Sequence, residues 1–290
     1  MTYDFTNAPY RQVQLAQGTI RYREIGHGEP LVFIHGLLVN GSLWHKVVPL
    51  LAPRFRCIVP DLPLGSHALP MAPTADLTPP GLAQLIADFL AALNLEQVTL
   101  IGNDTGGALC QLTITAHPER IARLVLTNCD AFEAFLPLPI RPFQWASYLP
   151  GFVWAYAQLL RIHALRPVTV VLALLCKYPV ERSLLDGWFS PIRRSPAIRR
   201  DLQRVLQGIS ARYTLAAACV FPTLPQPVLL AWAPQDRIFR LSFARRLQAA
   251  FADARLTLID DSYTFSCLDQ PQQLATQIEA FVHETALVVA

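Results

Sequence analysis

Short apolar runs alternate with amphipathic ones along most of this chain. Gln12–Leu15, Ile20–Glu24, Leu31–Ile34, Cys57–Val59, Val98–Ile101, Leu124–Thr127, Val228–Trp232 and Leu256–Ile259 have the length and composition of strands. The central runs are apolar at nearly every position, which predicts strands covered on both faces. Leu43–Leu51, Gly81–Leu93, Gly106–Ala116, Phe243–Phe251 and Pro271–Phe281 carry helical spacing. Strand and helix in turn predict an α/β protein, a mostly parallel sheet with helices on both sides.

The alternation stops between residues 131 and 222. This stretch is proline-rich and carries 13 of the 28 Phe, Trp and Tyr residues of the chain. It predicts a helical lid inserted into a core formed by residues 1–130 and 223–290. Most of its rings are expected to pack the lid onto the core, with a few facing a ligand. Arg193, Arg194, Arg199, Arg200 and Arg204 fall in the same stretch and predict a solvated helix face. The most apolar run, Val168–Cys176, predicts a buried helix, being far short of the roughly 20 residues a membrane span requires.

Composition narrows the choice of partner. Hydrophobic residues make up 52% of 290 positions, charged residues only 16%, and the formal net charge is +3. So weak a positive balance argues against a nucleic-acid surface and for a small apolar ligand. The six cysteines include no C-x-x-C pair, so buried free thiols are expected rather than a metal site or a disulfide framework. No cofactor is implied. Met1–Phe5 shows no basic stretch followed by an apolar one, which makes the cytoplasm the expected compartment. A homodimer is left open.

The candidate chemistry centres on Gly102-Asn103-Asp104-Thr105-Gly106-Gly107. Such a G-x-nucleophile-x-G turn between a strand and a helix holds its central side chain exposed at the top of a sheet. On residue type alone Asp104 is either that nucleophile or a cap for the following helix.

Together with three further segments, this turn resembles the α/β-hydrolase superfamily over almost the whole chain. Leu31-Val32-Phe33-Ile34-His35-Gly36 resembles the strand and His-Gly that open its oxyanion loop. The resemblance implies that the backbone N–H groups of Leu37 and Thr105 are the oxyanion donors and that His35 braces the loop. Asp61-Leu62-Pro63-Leu64-Gly65-Ser66-His67 resembles its D-x-P-G-x-G-x-S loop, with His67 as an unusual member. The strand and loop ending in Gln235-Asp236 look like those that deliver the acidic triad member, which makes Asp236 the implied acid and Asp130 the alternative. An Asp nucleophile narrows the resemblance to the haloalkane dehalogenase and epoxide hydrolase branch, where a carboxylate attacks carbon to form an enzyme ester.

Two positions depart from that branch. Thr264 stands where the resemblance implies the triad histidine, and Thr105 stands where it implies a tryptophan that binds a leaving halide. Asn40 or a lid side chain is a candidate replacement for that donor. Three functions stay open: a hydrolase of an alkyl halide, epoxide or ester in which His67 supplies the base, a degenerate hydrolase that only binds an apolar ligand, and a non-hydrolytic enzyme such as a lyase.

Overall fold

A computed structural model describes residues 4–162 and 172–286. Eight strands form one sheet: β1 (Tyr10–Leu15), β2 (Gly18–Ile25), β3 (Pro30–Ile34), β4 (Arg56–Pro60), β5 (Val98–Asp104), β6 (Ile121–Cys129), β7 (Val228–Trp232) and β8 (Ala254–Leu258). Their spatial order is β1-β2-β4-β3-β5-β6-β7-β8. The β1–β2 and β2–β4 pairs are antiparallel and the remaining five are parallel. The expected α/β architecture is therefore present, with each predicted strand in the sheet.

Burial follows position in the sheet. Every residue of β5 and β7 is buried, whereas the edge strands β1 and β8 keep exposed positions. Helices α1 (Val48–Leu51), α2 (Pro79–Ala92) and α3 (Thr105–Ala116) accompany the first half of the sheet. The stretch between β6 and β7 contributes α4 (Arg141–Ala146), α5 (Phe152–Leu159), α6 (Leu172–Leu175), α7 (Arg182–Arg194), α8 (Pro196–Gly208) and α9 (Ala211–Ala218). Helices α10 (Leu241–Ala250), α11 (Ser266–Asp269) and α12 (Pro271–Ala286) complete the chain. Among the described residues, no helix is long and apolar enough to cross a membrane.

The structure departs from the sequence pattern in three places. The helix expected over Leu43–Leu51 divides into a 3-10 turn at Gly41–Trp44 and the single turn α1. Pro49 accounts for the break, because a continuous helix would need its missing N–H to bond four residues back. Of the run Val168–Cys176, residues 168–171 lie outside the described residues, and Leu172–Leu175 forms one turn before the buried Cys176. The arginine cluster is only partly a solvated face. Arg200 pairs with Asp201 and donates to the carbonyl of Met71, while Arg204 donates to the carbonyls of Pro73 and Ala75. These bonds tie α8 to the segment before α2. The six cysteines are free thiols, all buried except Cys219.

Candidate active site

Asp104 is the last residue of β5 and immediately precedes α3, with φ 54° and ψ −133°. An ordinary side chain held in such a conformation costs about 1–3 kcal/mol. Bare glycines around the turn make it possible. A methyl group at Gly106 would lie 2.4 Å from the His35 carbonyl oxygen, and one at Gly107 would lie 2.3 Å from Cβ of Cys129. At Gly36 it would meet Oδ2 of Asp104 itself at 2.1 Å. The loop after β3, the elbow and the end of β6 thus converge where any side chain would keep them apart.

The backbone N–H groups of Thr105 and Leu37 face the Asp104 carboxylate and favour its charged form. These are the two donors named from the sequence for an oxyanion. Burial pushes the carboxyl up to about 7, the two N–H groups oppose that rise, and the charge of Asp236 adds to it.

Asp236 lies in the loop after β7. Its Oδ1 accepts from the N–H groups of Ile238 at 2.6 Å and Phe239 at 2.9 Å, and its Oδ2 accepts from the Thr264 hydroxyl at 2.8 Å. Burial raises this carboxyl to about 6 against those bonds. Thr264 therefore meets the acid as the imidazole N–H of a triad histidine would, but its side chain ends at that contact.

Two asparagines hold this arrangement. Asn103 donates from Nδ2 to the Thr264 carbonyl at 2.7 Å and to the Thr127 hydroxyl at 2.8 Å. Asn128 accepts from the Ala233 N–H at 2.7 Å and donates back to the Ala233 carbonyl at 3.2 Å, fixing the loop that carries Asp236. Sequence reasoning passed over both, although an amide at the end of an otherwise apolar strand was the available signal.

Asp130, just past β6, is fully buried. Its Oδ2 accepts from the Thr105 hydroxyl at 3.1 Å and its Oδ1 from the Leu136 N–H at 3.0 Å. Burial raises its carboxyl well above the usual range and the nearby Asp104 raises it further. The Thr105 hydroxyl is thus committed to Asp130. Asn40 is engaged locally as well: its Oδ1 caps the 3-10 turn through the Ser42 N–H at 3.0 Å, and its Nδ2 donates to the Ser66 carbonyl.

His67 is turned toward α8. Its Nε2 lies 3.2 Å from Oδ2 of Asp201, and its Nδ1 faces the Gly65 N–H at 3.4 Å. Asp201 also accepts from the Met71 N–H at 2.8 Å and from Arg200. Its Nε2 thus ties α8 to the loop after β4 while its Nδ1 is held within that loop, and His67 is not among the groups gathered at Asp104. We expect His67→Ala to lower the unfolding free energy by about 1–3 kcal/mol through the loss of these bonds, as read from a denaturant titration. His35 is driven down to about 4 by burial, and its Nε2 accepts from the Leu62 N–H at 2.8 Å, a neutral brace for the loop after β3.

Two helices between β6 and β7 pack against loops at this end of the sheet. The fully buried Trp188 of α7 donates from its indole N–H to the Ser42 hydroxyl at 2.9 Å, and its ring stands edge-on to Phe265. The Phe265 N–H donates to the Leu175 carbonyl, and the Asp269 carboxylate accepts from the N–H groups of Lys177, Tyr178 and Tyr263. The loop bearing Thr264 is thereby clamped to α6 and α7.

A family model described as alpha/beta hydrolase fold matches residues 29–271. The chain is 26% identical over 292 residues to haloalkane dehalogenase 2 of Mycobacterium bovis, covering 96% of this chain and 98% of that protein. It is 26% identical over 279 residues to a cis-3-alkyl-4-alkyloxetan-2-one decarboxylase of Shewanella oneidensis, covering 92% of this chain and 86% of that protein. A crystal structure of a haloalkane dehalogenase loop variant from Bradyrhizobium elkanii superposes with a TM-score of 0.80 at 16% identity, covering 98% of this chain and 99% of the other.

Proposed function

The chain belongs to the α/β-hydrolase fold family, and on that premise we propose that Asp104 is the nucleophile of a hydrolase acting on a small apolar electrophile, an alkyl halide, epoxide or ester. One observation carries this reading. Asp104 is held at a strained elbow with its carboxylate faced by the N–H groups of Leu37 and Thr105. A helix cap would require neither the strain nor the second donor from a distant loop.

In the first step an Asp104 carboxylate oxygen bonds to the electrophilic carbon while the leaving group departs with its bonding pair. Water then adds to the carbonyl carbon of the resulting ester. The oxyanion so formed lies on the Leu37 and Thr105 N–H groups, and its collapse frees the alcohol and restores the carboxylate. The hydrogen-bonded Asp236–Thr264 pair takes the proton from water, with Asp236 as the basic member. Because the Thr264 side chain ends at Asp236, this second step is slow and the ester accumulates.

Intact-protein mass spectrometry after exposure to alkyl halides and epoxides tests the proposal. The expected result is an adduct that maps to Asp104 and decays slowly, with heavy-oxygen water leaving its label in the Asp104 carboxylate. Unchanged turnover by Asp104→Asn would dismiss it. Attack also requires ionised Asp104, so the single-turnover rate of adduct formation is expected to rise with pH and level off above about 7. A rate that stays constant down to the ordinary carboxylate range near 3.8 would contradict the assignment.

Thr264 in place of a base, and a Thr105 hydroxyl already committed to Asp130, favour a second reading that needs no water. In an oxetan-2-one, attack by Asp104 on the ring carbon bearing oxygen expels the ring's own carboxylate. Loss of CO2 then sends the C–C bonding pair into a new alkene as the bond to Asp104 breaks, which regenerates the nucleophile. The Shewanella relative is named for such a ring. Release of CO2 and alkene with no heavy-oxygen uptake separates this reading from hydrolysis.

A further inference from the structure

A cleft of about 830 Å3 opens between the segment that follows β6 and the loop and helix that follow β7. Pro137 and Ile238 are buried in its walls, and Leu138 and Phe243 add further apolar surface. Four arginines share the lining: Arg141, Arg237, Arg240 and Arg246. Ile238 also gives its N–H to Asp236, so the cleft backs directly onto the loop that carries the acid.

The charges of this cleft do not cancel. Glu133 is its one acidic lining residue, and Arg246 already holds both oxygens of that carboxylate, at 2.6 and 3.0 Å. The bond to Arg246 draws the Glu133 carboxyl below its usual range, so the acid neutralises a single arginine. Three guanidinium groups are left without a carboxylate among the described residues. Arg141 donates to the backbone carbonyls of Glu133 and Leu136, Arg237 lies over the Tyr263 ring at 4.8 Å, and Arg240 is exposed. Helix α10 begins at the same place, with Ser242 in the lining, no side-chain cap and no acid in its first turn. The dipole of that helix adds to the positive field.

A guanidinium without a partner favours a planar oxyanion, which it meets through two parallel bonds as Arg246 meets Glu133. The apolar walls favour hydrocarbon. A small inorganic anion would leave the walls unused, and a neutral hydrocarbon would leave the guanidinium groups unused. We infer that the cleft binds an alkyl carboxylate, with its head on Arg237 and Arg240 and its chain along Pro137, Ile238 and Phe243. Asp104 is not part of this lining, and the inference stands whatever reaction Asp104 performs.

Calorimetric titration of the full chain with decanoate tests it, with acetate supplying the head without the chain and decanol the chain without the head. Decanoate is expected to bind at one site, with acetate and decanol each at least about tenfold weaker. Raising the ionic strength should weaken decanoate alone. The double variant Arg237→Gln, Arg240→Gln alters only exposed side chains, so its melting temperature should hold while its affinity for decanoate falls about tenfold or more. Absence of decanoate binding, or decanol or acetate binding as tightly, overturns the inference. So does unchanged affinity in the folded double variant, which would place the ligand in another cavity.

Discussion

Thr264→His is expected to speed hydrolysis of the Asp104 ester by about a hundred- to ten-thousand-fold, the usual contribution of a positioned general base. The setting for an imidazole is already built. Asp236 presents Oδ2 to position 264 at hydrogen-bond distance, Asn103 fixes the backbone there through the Thr264 carbonyl, and Phe265 is held by Leu175. A hydroxyl stops at the acid, whereas an imidazole bonded to Asp236 through one nitrogen carries the other toward the ester. Adduct lifetime measured by mass spectrometry is the direct readout. Formation of the adduct should change little, because the introduced imidazole would act only after the ester exists. A fully folded variant whose adduct decays no faster would mean that position 264 does not face the reacting ester.

Asp104→Asn is expected to abolish adduct formation, with a loss of turnover of at least about ten-thousand-fold, and at the same time to stabilise the fold. The opposite signs share one origin. Burial lifts the Asp104 carboxyl from 3.8 to about 7, so holding the anion in place works against folding. For a carboxyl raised in the folded state, the favourable contribution is complete below 3.8 and disappears as the pH climbs through about 7. A neutral amide keeps an oxygen for the Leu37 and Thr105 N–H groups and relieves the repulsion from Asp236 and Asp130. The gain in melting temperature should therefore be greatest above about pH 7 and shrink as the pH falls toward 3.8. Equal gains at both extremes would contradict burial of an ionisable Asp104.

How much of this was legible in the sequence depended on the range of the interaction. Val228–Trp232 is apolar at each position because β7 is covered on both faces, so its limits were recoverable from a local run. Asp104, Asp236 and Thr264 sit at strand ends or in the loops that follow, and local pattern fixes such places along the chain. The partner of His67 was not recoverable. Asp201 lies 134 residues away on a helix whose arginines suggested a solvated surface, and only the folded chain shows that carboxylate meeting the ring. Nor did the sequence distinguish the two sides of the aromatic stretch. Trp188 and Trp154 belong to the same tryptophan-bearing stretch between β6 and β7, yet one is fully enclosed beside Ser42 and the other faces outward.

The crowding at the elbow makes two kinds of change unequal in the history of such a chain. Gly106 and Gly107 have no tolerated neighbour in mutational space, since even one methyl group would strike backbone or a Cβ atom below 2.5 Å. The backbone at position 264 is fixed through its carbonyl independently of its hydroxyl, so a side chain that still meets Asp236 can replace threonine there. Lineages that share this scaffold can therefore change their chemistry through single replacements beside Asp236, while the turn that presents Asp104 stays fixed.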